Sequence, residues 1–442
     1  MSHRYFPHTA ADIEAMLQRC GVEDMNGLYA DIPESLLLKG GYELPEEMSE
    51  TEVRDFFRSL ADKNMVLKCF AGAGFYDHYS PAVVPYIMSR SEFLTAYTPY
   101  QPEISQGTLQ YIFEYQSMMV SLTGMDVSNA SMYDGTTATA EAMLMAVAAS
   151  RKRRRVLVSA TLNPAVRRVV DTYARYHGVE IDEIAQIGGI TDIDDLKAKL
   201  MQGDVAGVIV ATPNFYGVVE DYSGWADLCH EHKALFIINC VPADLSVLKT
   251  PGEWGADIAC GDAQSLGMPL NYGGPYLGFL CSRKELIRKM PGRIVGATTD
   301  ADGRRTFVLT LQAREQHIRR DKATSNICSN QGLMALHTAV YLSIMGAEGL
   351  REAAMAGYNG AHYLADKLTA TGKCSLKYPE APFFNEFAVT MPGVDIDAFM
   401  RRCVDRGILP GVRIASDEML IAVTEIPSRR DMDILAGILA GM

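Results

Sequence analysis

The chain is predicted to be α/β, a large domain built on a mainly parallel sheet followed by a smaller C-terminal α+β domain, and three observations predict it. First, from Arg154 onward apolar runs (RRVLVSA, VEIDEIA, VAGVIVATP, ALFIINC) alternate with amphipathic stretches (NPAVRRVVDTYARYHG, DIDDLKAKLMQG, YSGWADLCHEHK). Such alternation argues for parallel strands covered by helices on both faces. Second, beyond the alanine- and leucine-rich GLMALHTAVYLSIMG the pattern changes to short strands (NEFAVTM, GVRI, EMLIAVT) set between helices such as DIDAFMRRCVDRG and SRRDMDILAGILAG. Third, 442 residues at 48% hydrophobic and 21% charged suffice for one large or two medium cores. The expected division is 1–60 for a helical N-terminal arm, 61–325 for the large domain and 326–442 for the small one.

In the arm, Thr9 is a plausible N-cap for AADIEAMLQRCG, which stops at Gly21; Pro33 opens a second short helix ending near Gly40; Ser49 can cap ETEVRDFFRSLADK. The arm is expected to lie on the body or on a partner. From Gly72 the chain becomes aromatic, proline- and glycine-rich loop (GAGFYDHYSPAVVPYI, TAYTPYQPEISQG), then helical through TLQYIFEYQSMMVSLTG to Gly124. A loop from Asn129 runs into the Ala/Met-rich helix of NASMYDGTTATAEAMLMAVAAS, whose methionines core filling explains.

A net charge of −13 opposes nucleic acid as a partner, since such binding rests on cationic contacts to phosphate. The nine cysteines include no C-x-x-C pair and their odd number leaves one unpaired, which favours reduced thiols over a disulfide framework or a metal site. The N-terminus has no signal-peptide apolar core and no run reaches membrane-span length, so a cytoplasmic, membrane-free bacterial or archaeal protein is expected.

The strand ALFIINC carries Asn239 near its end, and GADIACGDAQSLGMPLNYGGPYLGFL follows, closing in a glycine-rich hairpin around Gly273 and Gly274. This layout resembles the cofactor site of pyridoxal-phosphate (PLP) enzymes of the aspartate aminotransferase-like fold, PLP-dependent transferase fold type I, which implies a large seven-stranded-type sheet. In that fold the strand ends in an aspartate and the next segment bears the Schiff-base lysine. Here Ser265 stands at the lysine position and Asn239 at the aspartate position, and Gly255 to Pro275 contains no lysine. A serine cannot form an imine, and an amide cannot keep a pyridinium nitrogen protonated. The chain is expected to have no catalytic residue of its own for PLP chemistry.

Four segments carry a closer resemblance: GAGFYDHYSPAVVPYI (72–87), TAYTPYQPEISQGTLQ (95–110), NASMYDGTTATAEA (129–142) and REQHIRRDKATSNICSNQ (314–331). They are similar to the glycine dehydrogenase (decarboxylating), or P-protein, family of the glycine cleavage system, in its lysine-lacking alpha subunit, and the likeness covers nearly the whole chain. The resemblance implies a heterotetrameric enzyme, inactive without the second chain. PLP sits on the lysine-bearing beta subunit, glycine is decarboxylated there, and the aminomethyl group passes to the lipoyl group of H-protein. The alternative is a scaffold or regulatory pseudoenzyme that contributes no group to the site; a third reading is an independent PLP enzyme using an unorthodox lysine, for which Lys322 is the best candidate.

Several candidates follow. Gly135, Thr136 and Thr137 open a helix and suit a vestigial phosphate cradle, or simply cap a core helix. Tyr97, Thr98, Tyr100, Gln101, Glu103 and Gln106 lie on a proline-stiffened loop expected to form a substrate wall or pack at a subunit interface. His78, beside Asp77, could position a proton donor or serve as a structural residue. The basic run from Arg151 to Arg155 could dock an acidic carrier or stay solvated at a helix end, and a second cluster, Arg314 to Lys322, lies in a loop that could close over the site.

Overall fold

The computed structural model describes residues 5, 7–150, 152–323, 325–327 and 330–442; of Arg314 only the backbone is described. The chain divides into two units, one ending at Met65 and one spanning Val66–Met442.

In the first unit, helix α1 (Ala10–Cys20) starts at Thr9, whose hydroxyl accepts from the Asp12 amide while the Asp12 carboxylate reaches back, and it ends at Gly21 with φ 74°. Helix α2 (Glu50–Ala61) begins with the same reciprocal box between Ser49 and Glu52. The stretch after Pro33 forms only a three-residue 3₁₀ turn, Glu34–Leu36, in place of the expected second helix. Helix nucleation is costly, and so short a segment gains too few bonds to offset it.

The second unit is organised by a seven-stranded sheet: β1 (Val127–Ser128), β2 (Arg155–Ser159), β3 (Glu180–Ile184), β4 (Val205–Thr212), β5 (Leu235–Cys240), β6 (Ile258–Asp262) and β7 (Gly278–Ser282), in the order β1-β7-β6-β5-β4-β2-β3. The run from β6 to β3 is parallel throughout, and β7 is antiparallel to both neighbours. Alternate residues face opposite sides, so Leu157, Val208, Phe236 and Ile238 enter one core while Val156, Val158, Ile209 and Ile237 enter the other. Both faces of β2, β4 and β5 are largely buried, which is why these strands read as apolar runs, whereas the edge strand β3 is partly exposed.

Helix α3 (Gln106–Thr123) packs into the first core through Tyr115 and Met119, and α4 (Gly135–Ser150) into the second through Ala138, Met143 and Ala146. Helix α5 (Gly332–Thr369) bends at Gly346, where φ is 59° and ψ −174°. It is apolar enough to resemble a membrane span, but its first half buries Ala335, Ala339 and Tyr341 in the first sheet core and its second half buries Ala361, Leu364 and Leu368 in a third core. That third core belongs to a four-stranded antiparallel sheet of Ser375–Leu376, Glu386–Thr390, Glu418–Ala422 and Val412–Arg413, flanked by helices Ile396–Val404 and Arg429–Ala440.

Candidate functional site

Two neighbourhoods contain the residues singled out by the sequence. The first is the narrow cavity beyond the C-terminal ends of β4, β5 and β6, lined by Phe75, Tyr76, Thr136, Asn239, Asp262 and Glu386 among others. Ligands bind at this edge of parallel α/β sheets, where strands deliver their last residues and helices present free amides. Ser265 lies in the segment after β6, buried, its Oγ accepting from the Ala243 amide at 3.3 Å. Asn239 sits on β5 and donates from Nδ2 to Thr139 Oγ1 at 2.8 Å. Among the described residues no lysine lines this cavity. Lys322 is on an exposed 3₁₀ turn and does not contribute to it.

The N-terminus of α4 is occupied from within. The Gly135 amide donates to Asp262 Oδ2 at 2.9 Å. Asp134 Oδ1 accepts from the Thr137 amide at 2.7 Å, from Thr136 Oγ1 at 2.7 Å and from Thr137 Oγ1 at 2.9 Å. Gly135 has to be glycine here, because a Cβ would stand 2.5 Å from the Asp262 nitrogen. Asp262 edges the cavity, yet the protein around it pushes its carboxyl up to about 7 through burial, against the pull of the Gly135 and Gln264 amides. Opposite lies Glu386, fully held by the Ala73 amide at 2.6 Å and the Tyr76 hydroxyl at 2.9 Å, and likewise raised to about 7 by burial. These residues do not fit PLP: no lysine amine lines the cavity among the described residues, position 239 on β5 holds an amide in place of an acid, and carboxylate oxygens stand where a phosphate needs donors.

His78 is 7% exposed and its partner is Glu425, not Asp77: Nδ1 lies 2.8 Å from Glu425 Oε2, while Glu425 Oε1 accepts from the Tyr79 amide at 2.7 Å. Burial opposes ionisation of Glu425, but the hydrogen bond and charge of His78 prevail and hold its carboxyl below the usual range. Nε2 of His78 has no hydrogen-bond partner among the described residues.

The second neighbourhood is the loop from Thr95 to Gln106 and the cavity beside it, lined by Phe93, Tyr97, Thr98, Tyr111, Arg293 and Asn330 among others. Tyr97 is 83% exposed and Ile104 76%, while Gln101 and Glu103 are also exposed. Gln106 is engaged within the chain on both sides of its amide: Nε2 donates to the carbonyls of Pro102 at 2.7 Å and Phe307 at 2.9 Å, and Oε1 accepts from Thr306 Oγ1 and the Phe307 amide. It braces the loop against the hairpin Ile294–Thr299/Arg305–Thr310 and is a positioning residue. Tyr100 lies against the Arg293 guanidinium, 4.9 Å from ring centre to Cζ, and Arg293 in turn meets Glu315 at 3.3 Å, both side chains under a tenth exposed.

Sequence reasoning missed this buried Arg293–Glu315 pair and also Glu141, whose carboxyl burial raises to about 7 and which accepts from Ser325 Oγ. No local pattern marks them, because their partners are distant in sequence. The basic run is structural where it is described: Arg153 donates to the carbonyls of Val205 and His232, Arg154 to that of His177, and Arg155 meets Asp182 and Asp204. Arg151 lies outside the described residues, as does the Arg314 side chain. Arg153 and Arg155 are thus spent within the chain, while Arg154 is exposed at the C-terminal end of the helix Pro164–His177.

This fold and this strand-edge cavity define the scaffold of the fold type I PLP-dependent enzymes. Burkholderia pseudomallei sphingosine-1-phosphate lyase, 17% identical, superposes at a TM-score of 0.66 over 92% of this chain and 94% of its own, a likeness of fold alone. A crystal structure of glycine decarboxylase (P-protein) of the glycine cleavage system, in inhibitor-bound form, matches at a TM-score of 0.90 and 42% identity, covering 99% of this chain and all of that one. The probable glycine dehydrogenase (decarboxylating) subunit 1 of Geobacillus kaustophilus is 49% identical over 443 residues, 98% of each chain. The family description "Glycine cleavage system P-protein" matches residues 3–439, and the chain belongs to that family. Its activity is that of a P-protein subunit, glycine decarboxylation as part of the complex.

Proposed function

We propose that this chain is the cofactor-lacking half of a two-chain glycine decarboxylase: PLP is held by a lysine-bearing partner subunit, and this chain supplies the wall that closes over glycine. The observation that carries the reading is a contrast within one molecule. Among the described residues the cavity that would hold PLP has no lysine and its Gly135 and Thr137 amides are taken by carboxylates, whereas the loop bearing Tyr97, Thr98, Tyr100, Gln101 and Glu103 is braced from behind and exposes Tyr97, Tyr100, Gln101 and Glu103. Glycine offers only an amine and a carboxylate, so discrimination against larger amino acids needs a rigid wall that does not yield. PLP on the partner would supply the electron sink for decarboxylation. This chain's residues orient and exclude: the Tyr97 and Tyr100 rings narrow the space and keep water out, Gln101 and Glu103 offer polar groups toward the amine, and His78 buttresses the loop it belongs to through Glu425.

The further partner in this proposal is lipoylated H-protein, acceptor of the aminomethyl group, and the setting is the cytoplasm. Tyr79, Tyr86, Leu94, Tyr97 and Ile104 are large apolar or aromatic side chains left exposed, which supports a chain that meets a permanent partner. The test is glycine-to-bicarbonate carbon exchange with lipoylated H-protein. Tyr97→Ala, Tyr100→Ala, Gln101→Ala and Glu103→Ala are each checked for assembly by gel filtration. At least Tyr100→Ala and Glu103→Ala are expected to lose tenfold or more in turnover, about 1.4 kcal/mol in the barrier, with assembly intact. Full activity in all four supports a scaffold that gives no group to the site; failed assembly in all four makes the loop interface packing.

A further inference from the structure

The cavity at the ends of β4 to β6 keeps the geometry of an anion site. A sixteen-residue helix begins at one corner of it, where Gly135 and Thr136 line the cavity and Thr137 stands in the same first turn, and glycine at position 135 lets the backbone of β6 approach closely. In an anion-binding fold the donors of such a turn face an external ligand. Here the Gly135 and Thr137 amides and both hydroxyls already have acceptors. Asp134 takes three of them with a single oxygen, and Asp262, reaching over from the end of β6, takes the Gly135 amide with one oxygen and the Gln264 amide with the other, the latter at 2.9 Å. Asp262 is three residues before Ser265, so the strand that lost its amine also delivers the acid that fills the cradle.

We propose that Asp134 and Asp262 are a built-in substitute for a ligand phosphate: their oxygens occupy the donor positions of the cradle, closing it to phosphate and to phosphate-bearing cofactors and leaving this half of the enzyme structurally complete without one. Two features support this beyond the helix end. Glu386 adds a further carboxyl to the cavity lining, an acceptor for the Ala73 amide where an anion would need donors. Asn239, spent on Thr139, leaves no group turned toward a ring nitrogen. The substitution also deepens the reading that PLP is confined to the partner, though it stands on this chain alone.

The experiment uses the full chain and inorganic phosphate, with thermal unfolding and titration calorimetry read against chloride at equal ionic strength. Glycine turnover is not read, so the result is separate from the role of the Tyr97–Glu103 loop. The parent chain is expected to show no saturable response to phosphate. The Asp262→Ala/Asp134→Ser variant, in which serine retains a cap, is expected to gain a saturable rise in Tm of several degrees, since a ligand that binds only the folded state stabilises it. A saturable response in the parent overturns the proposal, as does a variant that keeps the parent's circular dichroism and gains nothing. If the double variant is too unstable to purify, the single variants decide: stability regained on adding phosphate supports the substitution. Folding lost and not regained overturns it, because the carboxylates would then do more than stand in for an anion.

Discussion

The cavity beneath the α4 N-terminus and the loop from Thr95 to Gln106 are both built of polar and aromatic groups near a pocket, yet they are finished in opposite ways. In the first, most of the polar groups have partners inside the chain: Asn239 on Thr139, Asp262 on two amides, Glu386 on Ala73 and Tyr76. In the second, the satisfied groups sit behind the loop and the side chains in front face outward. Internal satisfaction marks a site that has become architecture. Rigid backing with exposed side chains in front marks one that is still addressed to something else.

Expected outcomes can break or sharpen that contrast, beginning with the largest. Arg293→Ala leaves the Glu315 carboxylate buried without its cation, which costs about 3–5 kcal/mol, read by urea unfolding; adding Glu315→Gln should return part of it. An unchanged midpoint would mean that the loop's backing is not electrostatic. Gln106→Leu removes the brace and leaves the Phe307 amide without its acceptor, at about 1–3 kcal/mol. It should also lower glycine turnover while Gln106→Glu, which retains the acceptor, recovers part of the loss; a stability loss with unaltered kcat would show that loop position is set elsewhere.

The acids of the closed cavity predict a pH effect. Burial raises Asp262 and Glu386 from ordinary values of 3.8 and 4.5 to about 7, so the folded chain retains protons that the unfolded chain has released. Through these groups stability falls as pH climbs from about 4 to 7 and levels off above. Asp262→Asn and Glu386→Gln abolish the titration, and their stability relative to the parent should improve from about pH 4 to about pH 7 and hold level above. A pH-independent difference would show that neither group is raised. The smallest expected effect is none at all: Ser265→Lys should yield no PLP absorbance and no borohydride-fixed cofactor, because Asn239 and the filled cradle remain. Recovery of either by that single change would place the barrier in the missing amine alone.

Much of this was legible in the sequence where the signal is local. Alternating apolar runs foretold the parallel sheet, and Thr9 and Ser49 two helix caps, while the lysine-free stretch around Ser265 carried the expectation that PLP is held elsewhere. What stayed hidden is contact between distant positions. Gly-Thr-Thr at 135–137 marks a helix start, but nothing in it shows that Asp262, 127 residues on, rests on the first amide. Asp77 beside His78 suggested a pair by adjacency, whereas extended neighbours point apart and the true partner is 347 residues away. The run from Arg151 to Arg155 looked like a surface patch, because composition does not reveal that a guanidinium reaches back to cap backbone carbonyls.

The bend at Gly346 has a mechanical consequence. Its φ and ψ of 59° and −174° lie at the edge of a region open almost solely to glycine; the segment before it is rooted in the first core, and the segment after it touches that core at Leu350 and is rooted from Ala361 on in the third. The joint is therefore an elbow with its two bones set in separate masonry: neither half can rotate without dragging a sheet along with it. A residue with a side chain at 346 would press the elbow toward straight, and the misfit would be felt in the C-terminal sheet, including Glu386, whose carboxyl forms one wall of the closed cavity.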